Sequence, residues 1–290
     1  MGVLEDAMRL LSIPLIALIA CSGEPATEEA STTDDTLDIP DVPAENPYGS
    51  AKNCPVFETG TVEARAGGVD RVLEIELPKN PRGAPVVFAW HWLGGDATET
   101  LDWMGVRELA DAGYIVVAPE SSGLPFEWDT LDRSDDNVDL ALVDSLLPCL
   151  FDAFAIDSDA VFATGHSAGG LFTTFLTMHR AEVFAATAPF SGGASSWDYE
   201  TPARPIPSLV TWGGVNDTYG GFSFHTASLD FVSMLLEDGS FPIACEHDLG
   251  HLPPNETVEM LEIFFGDHRL DTPEAWKDSI PSGMPDYCSH

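Results

Sequence analysis

The strongest fold signal in this chain is the run AVFATGHSAGGLF at residues 160–172. Its first part, 160–164, is a continuous apolar strand pattern, typical of a strand buried on both faces, and its last part has the apolar character of a helix. Between them stands a G-x-S-x-G motif centred on Ser167, the pattern of a nucleophile elbow when it joins a strand to a helix. Because Gly165 and Gly169 permit a tight, strained turn, we expect the Ser167 hydroxyl to project above the sheet.

Similar patterns flank this run on both sides. Buried strands are predicted at 85–90, 114–118, 185–190 and 207–212, and a short strand at 241–245. Helices are predicted at 97–112, 136–154, 168–180 and 225–238. Residues 61–65 and 72–77 alternate apolar and charged side chains around a Gly-Gly turn, which predicts an antiparallel pair at the sheet edge. Together these patterns predict an α/β domain with a mostly parallel central sheet, an antiparallel N-terminal edge and helices on both faces.

An elbow serine requires an acid and then a base further along the chain. Asp217 follows the predicted strand 207–212 and is the candidate acid. Two histidines, His247 and His251, compete for the role of base. Gly250 gives a sharp turn that would carry the His251 imidazole over Ser167, so His251 is favoured and His247 is interpreted as a capping or surface residue.

The loop after the first buried strand reads His91-Trp92-Leu93-Gly94-Gly95. Its glycines allow backbone N–H groups to turn inward, and we predict an oxyanion hole formed by the N–H groups of Leu93 and Ala168. The proposed acyl-transfer chemistry requires no cofactor. The chain also shows no Cys/His cluster at zinc spacing, so no metal site is predicted.

These motifs together resemble the secreted esterases grouped as polyhydroxybutyrate depolymerases, feruloyl esterases and acetylxylan esterases. The likeness covers about residues 80–265 and rests on His91 with 93–95, GHSAGG at 165–170, APFSGG at 188–193, and Gly250-His251. It implies an α/β-hydrolase fold and a serine esterase with Ser167, Asp217 and His251 as its triad. The family usually has His-Gly in the oxyanion loop, whereas here Trp92 replaces the Gly and places a large aromatic ring at the mouth of the site.

Only a short segment separates Phe190 from Pro207, so no large lid is expected and the cleft should be open. The candidates for substrate binding are His91, Trp92, Phe126, Trp128, His166, Trp197 and Tyr199. Aromatic faces stack on sugar or phenolic rings or cover an aliphatic polyester. The interpretation is an extracellular esterase acting on a polymer or its decorations: a polyhydroxyalkanoate-type polyester, a feruloyl ester or an acetyl ester. Two alternatives stay open: a serine peptidase of the same fold, and a catalytically inactive binding lipoprotein at the cell surface.

The charge is strongly unbalanced, with 48 acidic against 12 basic side chains and a formal charge of −36. Such a surface repels phosphate backbones and polyanions, so nucleic acid is not expected as a partner and the substrate should be uncharged. The protein is expected to be a monomer. The acidity fits either a saline habitat or an ordinary acidic secreted protein.

Residues 10–20 form an apolar run that is too short to span a bilayer but has the length of a signal-peptide core. It ends in Leu18-Ile19-Ala20-Cys21, which resembles a bacterial lipobox. We therefore predict a signal peptide over 1–21 and lipidation of Cys21, which would anchor the protein in the cell envelope or on the cell surface. The alternatives are an ordinary signal peptide cleaved nearby and a true start at Met8. The predicted acidic disordered linker covers 22–52, and the catalytic domain covers 53–290.

Four cysteines remain after Cys21: Cys54, Cys149, Cys245 and Cys288. An even number in an exported chain predicts two disulfides. Cys149 is expected near the bottom of the sheet and Cys245 at its top, so these two should not pair directly. Each is expected to pair with Cys54 or Cys288, and the sequence leaves both assignments open.

Overall fold

The computed structural model of this chain describes residues 45–134 and 136–290. The predicted signal peptide, the Cys21 lipidation site and most of the predicted linker lie outside these residues. Within them, every helix is too short or too polar to cross a lipid bilayer.

A nine-stranded sheet organises the described part of the chain. In chain order the strands are β1 (Gly60–Ala66), β2 (Val69–Glu76), β3 (Val86–Trp90), β4 (Ile115–Pro119), β5 (Val161–His166), β6 (Ala186–Phe190), β7 (Pro207–Trp212), β8 (Thr218–Tyr219), β9 (Phe222–Ser223), β10 (Phe241–Glu246) and β11 (Cys288–Ser289). The sheet order is β1-β2-β4-β3-β5-β6-β7-β10-β11, and β8 and β9 form a separate hairpin. In the sheet, the neighbouring strands β4, β3, β5, β6, β7 and β10 run parallel to one another. Strands β1, β2 and β11 are antiparallel to their neighbours.

Five α-helices are found among the described residues: α1 (Ala97–Trp103), α2 (Val138–Phe154), α3 (Ala168–His179), α4 (Phe224–Glu237) and α5 (Thr257–Asp267). Together with the sheet order they form the α/β-hydrolase fold, so the predicted fold class is confirmed. Residues 191–206, between β6 and β7, contain no helix or strand, and no lid is inserted there.

The central strands are buried on both faces, which explains their continuous apolar sequences. Every residue of β3 is buried. Phe88 and Trp90 join the apolar cluster on one face of the sheet, while Val87 and Ala89 join the cluster on the other. The alternation follows from the two-residue period of a strand.

The structure differs from the predicted elements in several places. The predicted helix 97–112 is interrupted, because Gly105 adopts a left-handed φ of 69° between α1 and a short 3₁₀ helix at Val106–Ala110. Helix α5 and strand β11 were not predicted. The domain also begins before residue 53: the Asn46 side chain donates to the Pro148 carbonyl at 2.9 Å, and the Tyr48 ring packs against Phe151.

The described part of the chain contains two disulfides, as predicted, and the structure gives their pairing. Cys54 bonds to Cys149 and Cys245 bonds to Cys288. The first joins the start of the domain to α2. The second joins β10, which precedes the His251 loop, to the C-terminal strand β11.

Candidate active site

Ser167 occupies the turn between β5 and α3, in a conformation that side chains rarely adopt. Its φ is 57° and its ψ is −116°. The surrounding glycines make this turn possible: a Cβ on Gly169 would lie 1.9 Å from the Trp90 carbonyl oxygen, and one on Gly165 would lie 2.7 Å from the same atom. The Ser167 N–H donates to the Phe190 carbonyl at 3.0 Å, which ties the turn to β6. Strain of this kind persists where the surrounding structure enforces it, commonly at functional sites.

The structure brings Ser167, His251 and Asp217 together in a hydrogen-bonded relay. His251 Nε2 lies 2.9 Å from Ser167 Oγ, and His251 Nδ1 lies 2.6 Å from Asp217 Oδ1. Because a carboxylate only accepts hydrogen bonds, Nδ1 carries the proton and Nε2 is free to accept from the serine hydroxyl. This is the geometry that an activated serine nucleophile requires.

Asp217 is completely buried and is held by three donors. Besides His251, its second oxygen, Oδ2, accepts from the Ser191 hydroxyl at 2.8 Å and from the Gly213 N–H at 2.9 Å. Burial by itself raises the pKa of this carboxyl, but the hydrogen bonds from His251, Gly213 and Ser191 outweigh it and lower the pKa below its ordinary value. The carboxylate is therefore ionised and fixed in orientation.

The loops that carry Asp217 and His251 meet through two glycines. A Cβ on Gly213 would lie 1.7 Å from the Gly250 carbonyl oxygen, and the Gly250 N–H donates to the Gly213 carbonyl at 3.1 Å. Gly250 itself has a φ of 69°. Backbone contact at this point sets the relative height of the acid and the base.

His247, the competing histidine, stands outside the relay. Its side chain is largely buried, and its Nδ1 accepts from the Leu249 N–H at 3.2 Å. Burial lowers the pKa of its imidazole. This contact stabilises the loop that leads to His251.

Two backbone groups remain suited to the predicted oxyanion hole. Leu93 and Ala168 line the same cavity as Ser167. The next two amides of the first loop are engaged, since the Gly94 N–H donates to Glu127 at 3.0 Å and the Gly95 N–H donates to the Trp92 carbonyl at 3.0 Å. Ala168 begins α3, so its N–H has no acceptor within the helix and lies at the positive end of the helix dipole.

Glu127 holds the Leu93 loop from the other side. Its Oε1 accepts from Gly94 and its Oε2 accepts from the Ser121 hydroxyl at 2.6 Å. Partial burial raises the pKa of Glu127, but the hydrogen bonds from Ser121 and Gly94 outweigh it, so that the pKa is lowered. A fixed negative charge therefore lies beside the loop and disfavours anionic substrates.

A cavity of about 300 Å³ opens in front of Ser167. Its walls are mainly apolar and aromatic: Leu93, Phe126, Trp128, Thr130, Ala168, Leu171, Tyr219, Gly220, Phe222 and Phe224. Its size and composition are those of a small-molecule binding pocket.

Of the residues predicted to bind substrate, Phe126 and Trp128 line this cavity. Phe126 is exposed, whereas Trp128 is buried and donates its indole N–H to the His91 carbonyl at 2.9 Å. The Trp92 ring instead lies over Gly95 and packs edge-on against Trp103. The Trp92 ring therefore packs within the loop that carries Leu93 and does not line the cavity.

Four other predicted substrate contacts lie elsewhere. His91 is 1% exposed, and both of its ring nitrogens are engaged, with the Trp92 carbonyl and the Ser121 N–H. His166 is 2% exposed and lies behind His251. Trp197 is 89% exposed and lies outside the cavity wall, while the Tyr199 hydroxyl donates to Asp238. We therefore propose no substrate contact for these four.

The β8–β9 hairpin is a part of the site that the sequence interpretation missed. It follows Asp217 directly, and its Tyr219 and the adjoining Phe224 stack against the His251 ring at centroid distances of 5.6 and 4.4 Å. The sequence carries a signal for this hairpin, because Gly220-Gly221 stands between two aromatic residues. A two-residue hairpin turn favours glycine at positions of positive φ, and the structure shows φ values of 57° and 87° at these two residues.

Comparison with known proteins finds sequence similarity to esterases over part of the chain. No protein-family model matches the chain. It is 32% identical to the probable feruloyl esterase C of Aspergillus terreus over 117 residues (38% of this chain, 41% of that protein). It is 32% identical to feruloyl esterase B of Thermothelomyces thermophilus over 167 residues (51% and 56%), and 26% identical to the putative esterase NocK of Nocardia uniformis over 191 residues (64% and 51%). The chain thus spans about half the length of the curated relatives it matches.

Solved structures agree on the fold. The native crystal structure of pOPH superposes with a TM-score of 0.65 at 17% identity, covering 83% of this chain and 96% of that one. A carboxylesterase of Bacillus cereus gives a TM-score of 0.52 at 16% identity, covering 67% and 92%. The chain is therefore an α/β-hydrolase-fold protein distantly related to fungal feruloyl esterases and bacterial esterases.

Proposed function

We propose that this protein is a serine carboxylesterase that works through an acyl-enzyme. The observation that carries the proposal is the hydrogen-bonded chain from Asp217 through His251 to Ser167. Ser167 faces an apolar cavity. The similarity to esterases over part of the chain supports it.

In the first half-reaction, Ser167 Oγ attacks the ester carbonyl carbon while His251 Nε2 takes the hydroxyl proton. The carbonyl oxygen becomes an oxyanion, stabilised by the N–H groups of Leu93 and Ala168. As the tetrahedral intermediate collapses, the C–O bond to the alcohol breaks and His251 donates its proton to the leaving oxygen. The ionised Asp217 stabilises the imidazolium throughout.

In the second half-reaction, water attacks the acyl carbon of the ester on Ser167, and His251 accepts the water proton. Collapse of this intermediate breaks the bond between the acyl carbon and Ser167 Oγ, and the proton returns to the serine. The products are a carboxylic acid and the free enzyme. None of these steps calls on a group from outside this chain, other than substrate and water.

The substrate we propose is an uncharged ester of a polymer or of its decorations, such as a polyhydroxyalkanoate-type polyester or a feruloyl or acetyl ester. The apolar walls of the cavity, the fixed charge on Glu127 and the formal charge of −36 support an uncharged substrate. We further propose that the protein acts outside the inner membrane, anchored through Cys21. The two disulfides are consistent with export.

The test is hydrolysis of p-nitrophenyl butyrate by the purified protein, with Ser167→Ala as the blank. We expect the variant to lose on the order of 10⁴-fold or more in kcat. Release from polyester film, feruloylated xylan and acetylated xylan then identifies the natural ester, and release from none of them would contradict the polymer assignment.

Two assays separate the alternatives. A serine peptidase would cleave peptide p-nitroanilides faster than matched esters. An inactive binding lipoprotein would leave a fluorophosphonate probe unreacted, whereas a working relay predicts labelling of wild type and none of Ser167→Ala.

A further inference from the structure

A second, smaller cavity adjoins the one in front of Ser167. Its volume is about 150 Å³. Three residues, Thr130, Leu171 and Phe222, line both cavities and form the border between them, which we call the neck. The two cavities are therefore adjacent, and together we call them the groove.

The groove follows helix α3 away from the nucleophile. Leu171, Thr174, Phe175 and Met178 line the second cavity. These positions follow the i, i+3, i+4, i+7 spacing of a single helix face. From Ala168 to Met178 the helix rises about 15 Å, at 1.5 Å per residue, so the groove gives room for an extended chain rather than for a compact group.

The walls of the second cavity favour an uncharged, apolar occupant. Leu131, Leu171, Phe175 and Met178 supply apolar surface. The Thr174 hydroxyl is already satisfied, because it donates to the Gly170 carbonyl at 3.0 Å and accepts from the Gly193 N–H at 2.9 Å.

One carboxylate, Asp198, also lines this cavity. It accepts from the Ser195 hydroxyl at 2.6 Å. A negative charge at this position disfavours an anionic end group on whatever enters the groove.

The position of the groove relative to His251 indicates which half of an ester it takes. The leaving alcohol must lie at His251 Nε2 to receive its proton. The rings packed on His251 are His166, Tyr219 and Phe224, and none of them lines the second cavity. The second cavity therefore lies away from the base, which supports the acyl half of the ester as its occupant.

We infer that the second cavity is a distal acyl subsite, and that the enzyme takes elongated, uncharged acyl groups whose far end passes the neck and lies against α3. This inference rests on the proposed esterase function. It predicts that catalytic efficiency is retained or rises as the acyl chain lengthens.

The test measures kcat/KM of the whole protein for p-nitrophenyl butyrate, octanoate and laurate below their micelle concentrations. Ser195→Leu fills the second cavity, and Ser195→Ala is its matched control because both lose the same hydroxyl. Each displaced methylene group should cost about fourfold. We expect Ser195→Leu to lose on the order of tenfold on laurate relative to Ser195→Ala, with butyrate within about twofold.

Leu131→Ala gives an independent measurement that does not depend on how Ser195→Leu folds. Leu131 is 79% exposed and lines only the second cavity. We expect a selective loss of a few-fold on laurate. Two results would overturn the subsite and leave the esterase assignment intact. One is wild-type hydrolysis of the butyrate ester but not of the laurate ester. The other is a laurate-to-butyrate ratio of kcat/KM that is unchanged in both Ser195→Leu and Leu131→Ala. Failure of wild type on every ester, with no fluorophosphonate labelling, would overturn the esterase assignment and the subsite with it.

Discussion

Gly213 and Gly250 are in backbone contact, so that a single added Cβ on Gly213 would fall 1.7 Å from the Gly250 carbonyl oxygen. Gly213→Ala must therefore push apart the loops that hold Asp217 and His251. A misplacement of about 1 Å at a catalytic group can cost 10²-fold, and we expect kcat/KM for p-nitrophenyl butyrate to fall by at least about that factor.

Gly266→Ala is the control for this substitution. Gly266 lies in α5, where an added Cβ would meet no atom closer than the Tyr114 hydroxyl at 4.0 Å. Its activity should match wild type. Equal activity in Gly213→Ala would show that the glycine contact does not set the geometry of the relay.

The hydrogen bond from Ser191 to Asp217 should matter for both stability and activity. Ser191→Ala removes one of three donors to a buried carboxylate, and hydrogen bonds to charged groups contribute about 1.5–3 kcal/mol. We expect urea unfolding to show a loss in that range and kcat/KM to fall on the order of tenfold, as Asp217 loses orientation. Ser195→Ala, which removes a serine–aspartate bond at the exposed Asp198, should change the unfolding free energy by less than about 0.5 kcal/mol.

His166 should make the fold sensitive to acid. Its ring is buried without a hydrogen-bond partner among the described residues, and burial, with His251 as a lesser cause, lowers its pKa to about 3. The unfolded chain protonates this group below about 6.5. Its contribution to stability is therefore complete above pH 6.5 and is lost as pH falls towards 3, by about 1.4 kcal/mol per pH unit.

His166→Phe removes this titration and keeps a ring against His251. Between pH 7 and pH 5 the melting temperature of the variant should fall by about 4–8 °C less than that of wild type, the effect of about 2 kcal/mol in a domain of this size. The control variant replaces the exposed His290 by Gln. Identical pH profiles for His166→Phe and wild type would contradict the assignment.

The ion pair between Arg71 and Asp139 is completely buried, with an N–O distance of 2.5 Å. Asp139 also accepts from the Asp129 N–H at 2.7 Å and so anchors the loop that presents Trp128 to the cavity. Arg71→Met leaves an uncompensated buried carboxylate and should cost about 3–5 kcal/mol in urea unfolding.

Two further variants serve as comparisons for the stability of Arg71→Met. The double substitution Arg71→Met with Asp139→Leu should recover part of the loss, because no charge is left buried. Arg65→Ala breaks the exposed pair with Asp70 and should change the unfolding free energy by less than about 1 kcal/mol. A single Arg71→Met variant as stable as Arg65→Ala would show that the buried pair does not hold the loop.

The sequence predicted the parts of this molecule that depend on local pattern. Continuous apolar runs identified the buried strands, because a strand covered on both faces has no polar side. The elbow was recognisable at Ser167 because the turn itself demands glycines on either side. Asp217 and His251 could be selected because each follows a strand whose end lies at the same edge of the sheet.

What the sequence did not predict depends on contacts between distant segments. His91 was interpreted as a substrate contact, yet its ring is buried and accepts a hydrogen bond from the Ser121 N–H, thirty positions along the chain. Trp197 carried the same expectation, but its loop turns its ring to solvent. The partner of Cys149 could not be predicted either, because the segment around Tyr48 was interpreted as linker. In the structure this segment packs on α2, the helix that carries Cys149.

The Cys54–Cys149 bond also determines how a pulling force would enter the domain. Tension applied through the residues before Cys54 passes through the disulfide into α2, in the middle of the fold, and bypasses β1 and β2. Among the described residues, strand β1 pairs only with β2, and an edge strand loaded along its length can separate one hydrogen bond at a time. With the disulfide intact, a force that pulls on the N-terminus would act on α2, which is packed against the core. The edge strand β1 would then carry little of that force.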